Sequence, residues 1–372
     1  MQIAAAAVAM WTGACLVIGG CTAIVGVDKP YHLAGGGSGG GDVEACTPDE
    51  VRCAQNRPQT CDEAGAWQDG AECPAEAPSC DDGRCAVPRS CEKMDAICGP
   101  RGDEGCCGSL VVPGGTFDRG DVEPRQATVS DFRLDRFEVT VGRFRAFLSE
   151  YPASWPAVGA GAHPKIPDSG WRAAWDADLP VDRAALSASL HCEDPYFSWT
   201  DEVGDHELLP AACVSWYVAF AFCAWDGGRL PTAAERRYAA AGGEEQRTYP
   251  WSGPESAPEP DASYAVYGCG LDGSCEIADL QPGGSRSPRG DGRWGQADLG
   301  GNVWEWVLDS FATNDALPLD CEDCAVITPD TNHMIWGGGW RSEEATLLTS
   351  AFQERSPTGH FAGAGLRCAR AR

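Results

Sequence analysis

A loop-rich protein of short helices and short strands, preceded by a small disulfide-stapled module, is what the 372-residue sequence predicts. Three observations carry that reading. Ten cysteines crowd between Cys46 and Cys107 in a segment with almost no apolar periodicity. Glycine (46 residues) and proline (26 residues) punctuate the whole chain, as in a globular protein built largely of loops. After Ser109 the segments with helical spacing are short, and each is opened by a capping residue.

The N-terminal part is read first as an export signal. Residues Ile3 to Gly20 form a weakly apolar, Ala-rich stretch that ends in Ile18-Gly19-Gly20-Cys21. This resembles the lipobox of bacterial lipoproteins, with cleavage before Cys21 and lipidation of that cysteine. No Lys or Arg precedes the stretch, and an uncleaved membrane anchor is the alternative. Residues 1–20 are thus expected to be a signal peptide and the rest to lie outside the cytoplasm, periplasmic or at the cell surface. Residues 21–45 read as a flexible tether around Gly35 to Gly41.

Residues 46–108 are expected to be a separate Cys-rich module. Turn formers and charges separate its cysteines, so no sufficient core can form and disulfides must hold it. Ten cysteines allow many pairings, and the spacing alone selects none. Paired C-x2-C knuckles are missing, which argues against zinc.

Residues 109–372 hold the larger domain. Thr140 precedes Val141, Phe144, Phe147 and Leu148, the spacing of an amphipathic helix with a Thr N-cap. Ser215 opens a second helix from Trp216 to about Asp226, closed by Gly227-Gly228. Thr232-Ala233-Ala234-Glu235 is a capping box that opens a third, ending at Gly242-Gly243. Trp336-Gly337-Gly338-Gly339-Trp340 is expected among the short strands.

Charge narrows the function classes. Fifty-five acidic residues against 28 basic ones give a net charge of −27, with no local basic cluster. Such a surface repels phosphate backbones, so nucleic acid is not an expected partner. It does suit divalent cations.

Four blocks give a more specific reading. They are Asp135-Arg136-Phe137-Glu138-Val139-Thr140, Val214-Ser215-Trp216-Tyr217 running on to Gly228 through Glu235, Asp298-Leu299-Gly300-Gly301-Asn302-Val303-Trp304-Glu305-Trp306, and Gly337-Gly338-Gly339-Trp340 through Gly365-Leu366-Arg367-Cys368. In order and spacing they resemble the formylglycine-generating enzyme family, the sulfatase-modifying factor domain. The resemblance spans residues 109–372. It implies an α+β, C-type-lectin-like fold low in regular secondary structure.

The resemblance also implies a structural calcium site formed by Asp298, the carbonyls of Gly301 and Val303, and Glu305. Carboxylates and carbonyls on an irregular loop are suitable hard ligands. A second family calcium site departs from pattern at Ala262-Ser263-Tyr264-Ala265. Cys223 and Cys368 match a family disulfide. The remaining cysteines are expected to pair locally, Cys192 with Cys213, Cys269 with Cys275 and Cys321 with Cys324.

Family enzymes oxidise a Cys in Cys-x-Pro-x-Arg to formylglycine, using oxygen and copper held by two thiols. Those positions fall here on Ser342 and Leu347. Neither side chain can hold Cu(I), which favours thiolates, so no catalytic residue is assigned and copper is not expected there. The Cys321–Cys324 pair is a weak substitute, because flanking acids raise a thiol pKa.

The expected function is therefore an exported, lipid-anchored, non-catalytic module that binds a peptide, protein or glycan. Its expected recognition residues are Trp336, Trp340, Arg341, Glu343, Glu344 and Arg355, between Val326 and Gly363, since aromatic residues and Arg dominate recognition sites; the alternative for the two Trp is that they are core residues. The alternatives are an active formylglycine-generating oxidase, another oxidation of exported proteins, or a purely structural envelope role.

Overall fold

The computed structural model describes residues 46–372, apart from 55–56, 82, 96, 121–123, 254–255, 270–274, 313–319 and 329–330. The expected signal peptide, the lipidation site Cys21 and the tether lie outside the described residues. Among the described residues, no helix is long and apolar enough to cross a membrane.

The Cys-rich segment builds a three-stranded antiparallel sheet and a separate hairpin. The sheet is β1 (Val51–Ala54), β2 (Arg57–Cys61) and β3 (Trp67–Asp69), and the hairpin β4 (Ser79–Asp81) with β5 (Arg84–Ala86). Five disulfides staple it: 46–61, 53–80, 73–85, 91–107 and 98–106.

The expected boundary at 108 does not separate two packed bodies. The described residues, from 46 on, belong to one compact unit. The reason is electrostatic as well as apolar. Arg143, fully buried, donates to Ser90 Oγ (3.0 Å) and to the Cys106 carbonyl (3.3 Å). It also pairs with Asp135 (3.0 Å) and Asp226 (2.7 Å), which Arg370 contacts as well. Four buried charges thus join the Cys-rich segment, the first helix, the second long helix and the C-terminal strand. Removing any one would strand another in low dielectric.

Beyond 108 come β6 (Ser109–Val112), β7 (Gly115–Asp118), β8 (Gln126–Val129) and β9 (Phe132–Asp135), then the helices α1 (Val141–Glu150), α2 (Arg183–Ser189), α3 (Trp216–Trp225) and α4 (Ala233–Ala240). The expected caps are in place. Thr140 accepts from Arg143 N, Ser215 from Val218 N, and Thr232 with Glu235 closes a capping box. The glycines expected to stop α3 and α4, Gly227 and Gly242, have φ of 76° and 65°, a left-handed conformation that a Cβ opposes. Helix α2, capped by Asp182, is not among the helices that the spacing predicts.

Helix α3 is buried on nearly every face, with Ala224 its least buried position, so it is a core element rather than an amphipathic one. Phe144 of α1 stacks on Phe222 of α3 at 5.6 Å between ring centroids. Strand β10 (Trp304–Ser310) is buried along its whole length. It pairs with β12 (His333–Trp336), which carries β13 (Phe352–Arg355), and on its other side with β14 (Ala364–Gly365). Short β11 (Cys321–Glu322) adds to β8, and β15 (Ala369–Ala371) to β9. Small sheets, short helices and long connections make the fold α+β.

The disulfides 192–213, 223–368, 269–275 and 321–324 all form. The strand expected through 336–340 stops at Trp336. Gly337 (φ 99°) and Gly338 (φ 74°) turn the chain instead, and a Cβ on Gly338 would meet Thr346 Oγ1 at 2.7 Å.

Candidate functional site

The turn at 337–339 decides where the expected recognition residues go. Trp336 and Trp340, which the sequence leaves between an exposed surface and the core, are both buried, at 5% and 0% exposure. Trp340 sits in the main core near Tyr196, and Trp336 lies against Phe352. Reversal of the chain between them leaves the two indoles bordering different cavities. Arg341, Glu343 and Glu344 are exposed and Arg355 is half-buried. Arg341 lies over Tyr196 at 4.3 Å and pairs with Glu193 at 3.0 Å. Arg355 lies over Phe361 at 5.3 Å and bonds Gln353.

Trp340 borders an open cleft of about 370 Å³, together with Tyr267, Cys269, Asp279, Gln281 and Arg286. Two of these lining residues carry a buried nitrogen without a hydrogen-bond partner among the described residues, Trp340 Nε1 and Arg286 Nε. A buried N–H without an acceptor costs about 1–3 kcal/mol. Gln281 is fixed by Asn302, whose Oδ1 accepts from Gln281 N at 3.2 Å and whose Nδ2 donates to the Gln281 carbonyl at 3.1 Å. Nothing in the sequence pattern points to Arg286 or Gln281, because both lie in a loop with no periodicity.

A second, smaller cavity of about 50 Å³ lies behind Trp336 and Phe352, with Met334, Asp309, Arg119 and Arg237 on its walls. Burial pushes the Asp309 carboxyl up to about 7, although it accepts from Ala233 N and Val326 N.

The two positions that would carry thiols are structurally committed. Ser342 Oγ accepts from Trp304 Nε1 at 2.9 Å and from Gly339 N at 3.0 Å. Leu347, 1% exposed, packs with Tyr249, Trp251 and Ala265. The donor set does not fit copper at these positions.

The expected calcium ligands divide into two ends. Glu305 is fully buried, and both carboxylate oxygens are taken. Arg236 Nε holds Oε2 at 2.6 Å, while Arg367 Nε and Nη2 hold Oε1 at 3.0 and 2.8 Å. Burial raises its pKa, but the two guanidiniums outweigh that and hold it below the usual range. Glu305 is therefore a poor calcium ligand in this arrangement. Asp298 fits better. Burial pushes it up to about 6 against the opposing hydrogen bond from Gly284 N, the mark of a carboxylate short of positive charge. It stands in a tight turn where Asp298, Gly301 and Asn302 all have positive φ. Glu138, buried against the same turn, accepts from Asn302 Nδ2 (2.6 Å) and Val303 N (3.0 Å). Burial, and then Asp298, raise its pKa well above the ordinary value.

These features define a protein class: a loop-rich α+β domain around a buried Trp-Glu-Trp strand, with an open cleft beside the Gly-Gly-Gly-Trp turn. The family model for the sulfatase-modifying factor enzyme 1-like domain matches residues 97–372, and the chain belongs to that family. The match begins inside the Cys-rich segment, in keeping with its packing into the domain. The formylglycine-generating enzyme of Thermomonospora curvata is 30% identical over 236 residues, covering 56% of this chain and 73% of that protein. A Bos taurus protein named inactive C-alpha-formylglycine-generating enzyme 2 is 29% identical over 228 residues, covering 55% and 72%. The solved structure of PvdO from Pseudomonas aeruginosa aligns with a TM-score of 0.49 at 22% identity, over 71% of this chain and 94% of that one.

Proposed function

We propose that this chain is a recognition module without formylglycine-generating chemistry, and that the Trp340–Arg286 cleft takes an acceptor-rich ligand, an exported peptide, protein or glycan. The observation that carries the reading is the pair of buried donors, Trp340 Nε1 and Arg286 Nε, left without partners among the described residues beside a Ser342–Leu347 pair that offers no thiol. A ligand carbonyl, carboxylate or hydroxyl would satisfy both donors. The named relatives include both a generating enzyme and an inactive one, so family membership by itself favours neither.

The same reading keeps the chain outside the cytoplasm, lipid-anchored through Cys21, and the nine disulfides among the described residues support an oxidising compartment. A calcium ion at the 298–303 turn would be held by Asp298 with the carbonyls of Gly301 and Val303, and would add rigidity rather than chemistry.

The test uses the full chain with calcium and copper supplied. It is incubated aerobically with a Cys-x-Pro-x-Arg peptide and a thiol reductant, beside a family member that has the thiol pair. Peptide mass reports the aldehyde. The expected result is conversion by the control alone; conversion by this chain overturns the reading. Peptide and glycan arrays then supply the ligand, whose capture is expected to be lost in Arg286→Gln.

A further inference from the structure

Besides the unpartnered donors, the wall of the cleft carries a group with its own chemistry. The ligand atoms of Cys269, Cys275 and Asp279 all lie within 4.8 Å of one another. Cys269 and Asp279 line the cleft directly. Cys269 and Cys275 are joined as a disulfide, and both are half-buried, whereas Cys223 and Cys368 are fully buried.

The described backbone on either side of the pair is also hydrogen-bonded. Gly268 N donates to the Ser342 carbonyl at 2.9 Å and Cys269 N to the Trp340 carbonyl at 3.0 Å. On the other side, Glu276 N donates to Asp279 Oδ2 at 2.9 Å, and Asp279 N returns a bond to the Glu276 carbonyl at 3.0 Å. Cys269 is thus tied to the 340–342 turn by the backbone, and Cys275 leads into a hydrogen-bonded turn that carries Asp279. The loop closed is only six residues in separation, so its contribution through the unfolded chain is among the smallest of the nine bridges.

We propose that Cys269 and Cys275 are a reducible pair which, once opened, holds a soft metal ion with Asp279 as third donor. Opening needs an external dithiol. It supplies two electrons and two protons, the Sγ–Sγ bond breaks to two thiols, and the dithiol closes into its own disulfide. Metal uptake then releases the two thiol protons, leaving two thiolates and one carboxylate around the ion. Two thiolates select a soft ion such as Cu(I) over calcium or magnesium. This inference does not depend on what else the cleft recognises.

The test uses the folded full chain under limiting dithiol, with differential alkylation and peptide mass mapping, followed by Cu(I) titration against a chromophoric competitor. The expected result is alkylation of Cys269 and Cys275 well ahead of Cys223 and Cys368, with one equivalent of Cu(I) retained. That equivalent is expected to be lost in Cys269→Ser/Cys275→Ser and weakened in Asp279→Asn, both of which keep the melting temperature within a few degrees. Two results overturn the proposal: Cys269 and Cys275 still unalkylated when Cys321 and Cys324 have opened, or a Cu(I) equivalent that survives the double substitution. Unchanged affinity in Asp279→Asn overturns the three-donor site.

Discussion

The indole N–H of Trp304 donates to Ser342 Oγ at 2.9 Å, across 38 positions of sequence. Through that bond the side chain at 342 becomes a fastener between the buried strand β10 and the turn beside the cleft, with Gly339 N as its second donor. Replacing it with Ala leaves two donors short of an acceptor. Ser342→Ala is expected to cost about 1–3 kcal/mol, read as a shift in the urea midpoint with the slope unchanged.

Glu305 between Arg236 and Arg367 makes a sharper prediction. All three are buried, so Arg236→Met leaves Glu305 with one guanidinium and Leu299 O without its Arg236 donor. The expected loss is about 3–5 kcal/mol, against a much smaller loss when Glu305 and Arg236 are replaced together by apolar residues. A double-substitution cycle in urea separates the two.

Stability is expected to depend on pH through Asp298 and Asp309. Burial raises them to about 6 and about 7 from an ordinary 3.8, so the folded state binds protons that the unfolded chain has released. Their contribution is present at low pH and is lost as pH rises through that window. Each tenfold difference in proton affinity between the folded and unfolded carboxyl is worth about 1.4 kcal/mol. His333, lowered by burial to about 4, works in the opposite sense, its contribution lost as pH falls below 6.5. Asp309→Asn is therefore expected to gain on the parent as pH rises from 4 to 7. A melting series over that range checks the sign; a constant difference between the two proteins would remove Asp309 from the account.

If calcium binds at the 298–303 turn, melting in millimolar calcium should exceed melting in chelator. The increment should vanish in Asp298→Asn. Equal melting in both solutions would mean that Arg236 and Arg367 suffice to hold the turn.

The Cys223–Cys368 bridge spans 145 residues and ties α3 to the start of the C-terminal strand. Cys223→Ala/Cys368→Ala is expected to cost about 2–5 kcal/mol, seen as a lower urea midpoint.

Much of the scaffold is legible in the sequence because local chemistry decides it. Thr140, Ser215 and Thr232 cap the helices that the spacing assigns to them, since each needs only its own hydroxyl and the next turn. The cleft is less legible, because its parts are set by the tertiary fold. Residues 336 and 340 read as one aromatic patch, but two positive-φ glycines send the indoles into different cavities. Arg236 carries no sign in the sequence that its partner is Glu305, 69 positions away. Arg286 sits in a loop whose role emerges only when the fold brings it to the cleft that Trp340 also lines.

The ionic contacts of residues 367–372 have a consequence for how the chain folds. Arg367 neutralises Glu305, Arg370 completes the Asp135–Asp226 cluster, and Arg372 reaches Glu72 in the Cys-rich segment. Until residues 367–372 are in place, Glu305 has only Arg236, and Asp135 and Asp226 share only Arg143. The domain is thus closed by contacts between residues far apart in sequence, a topology that slows folding.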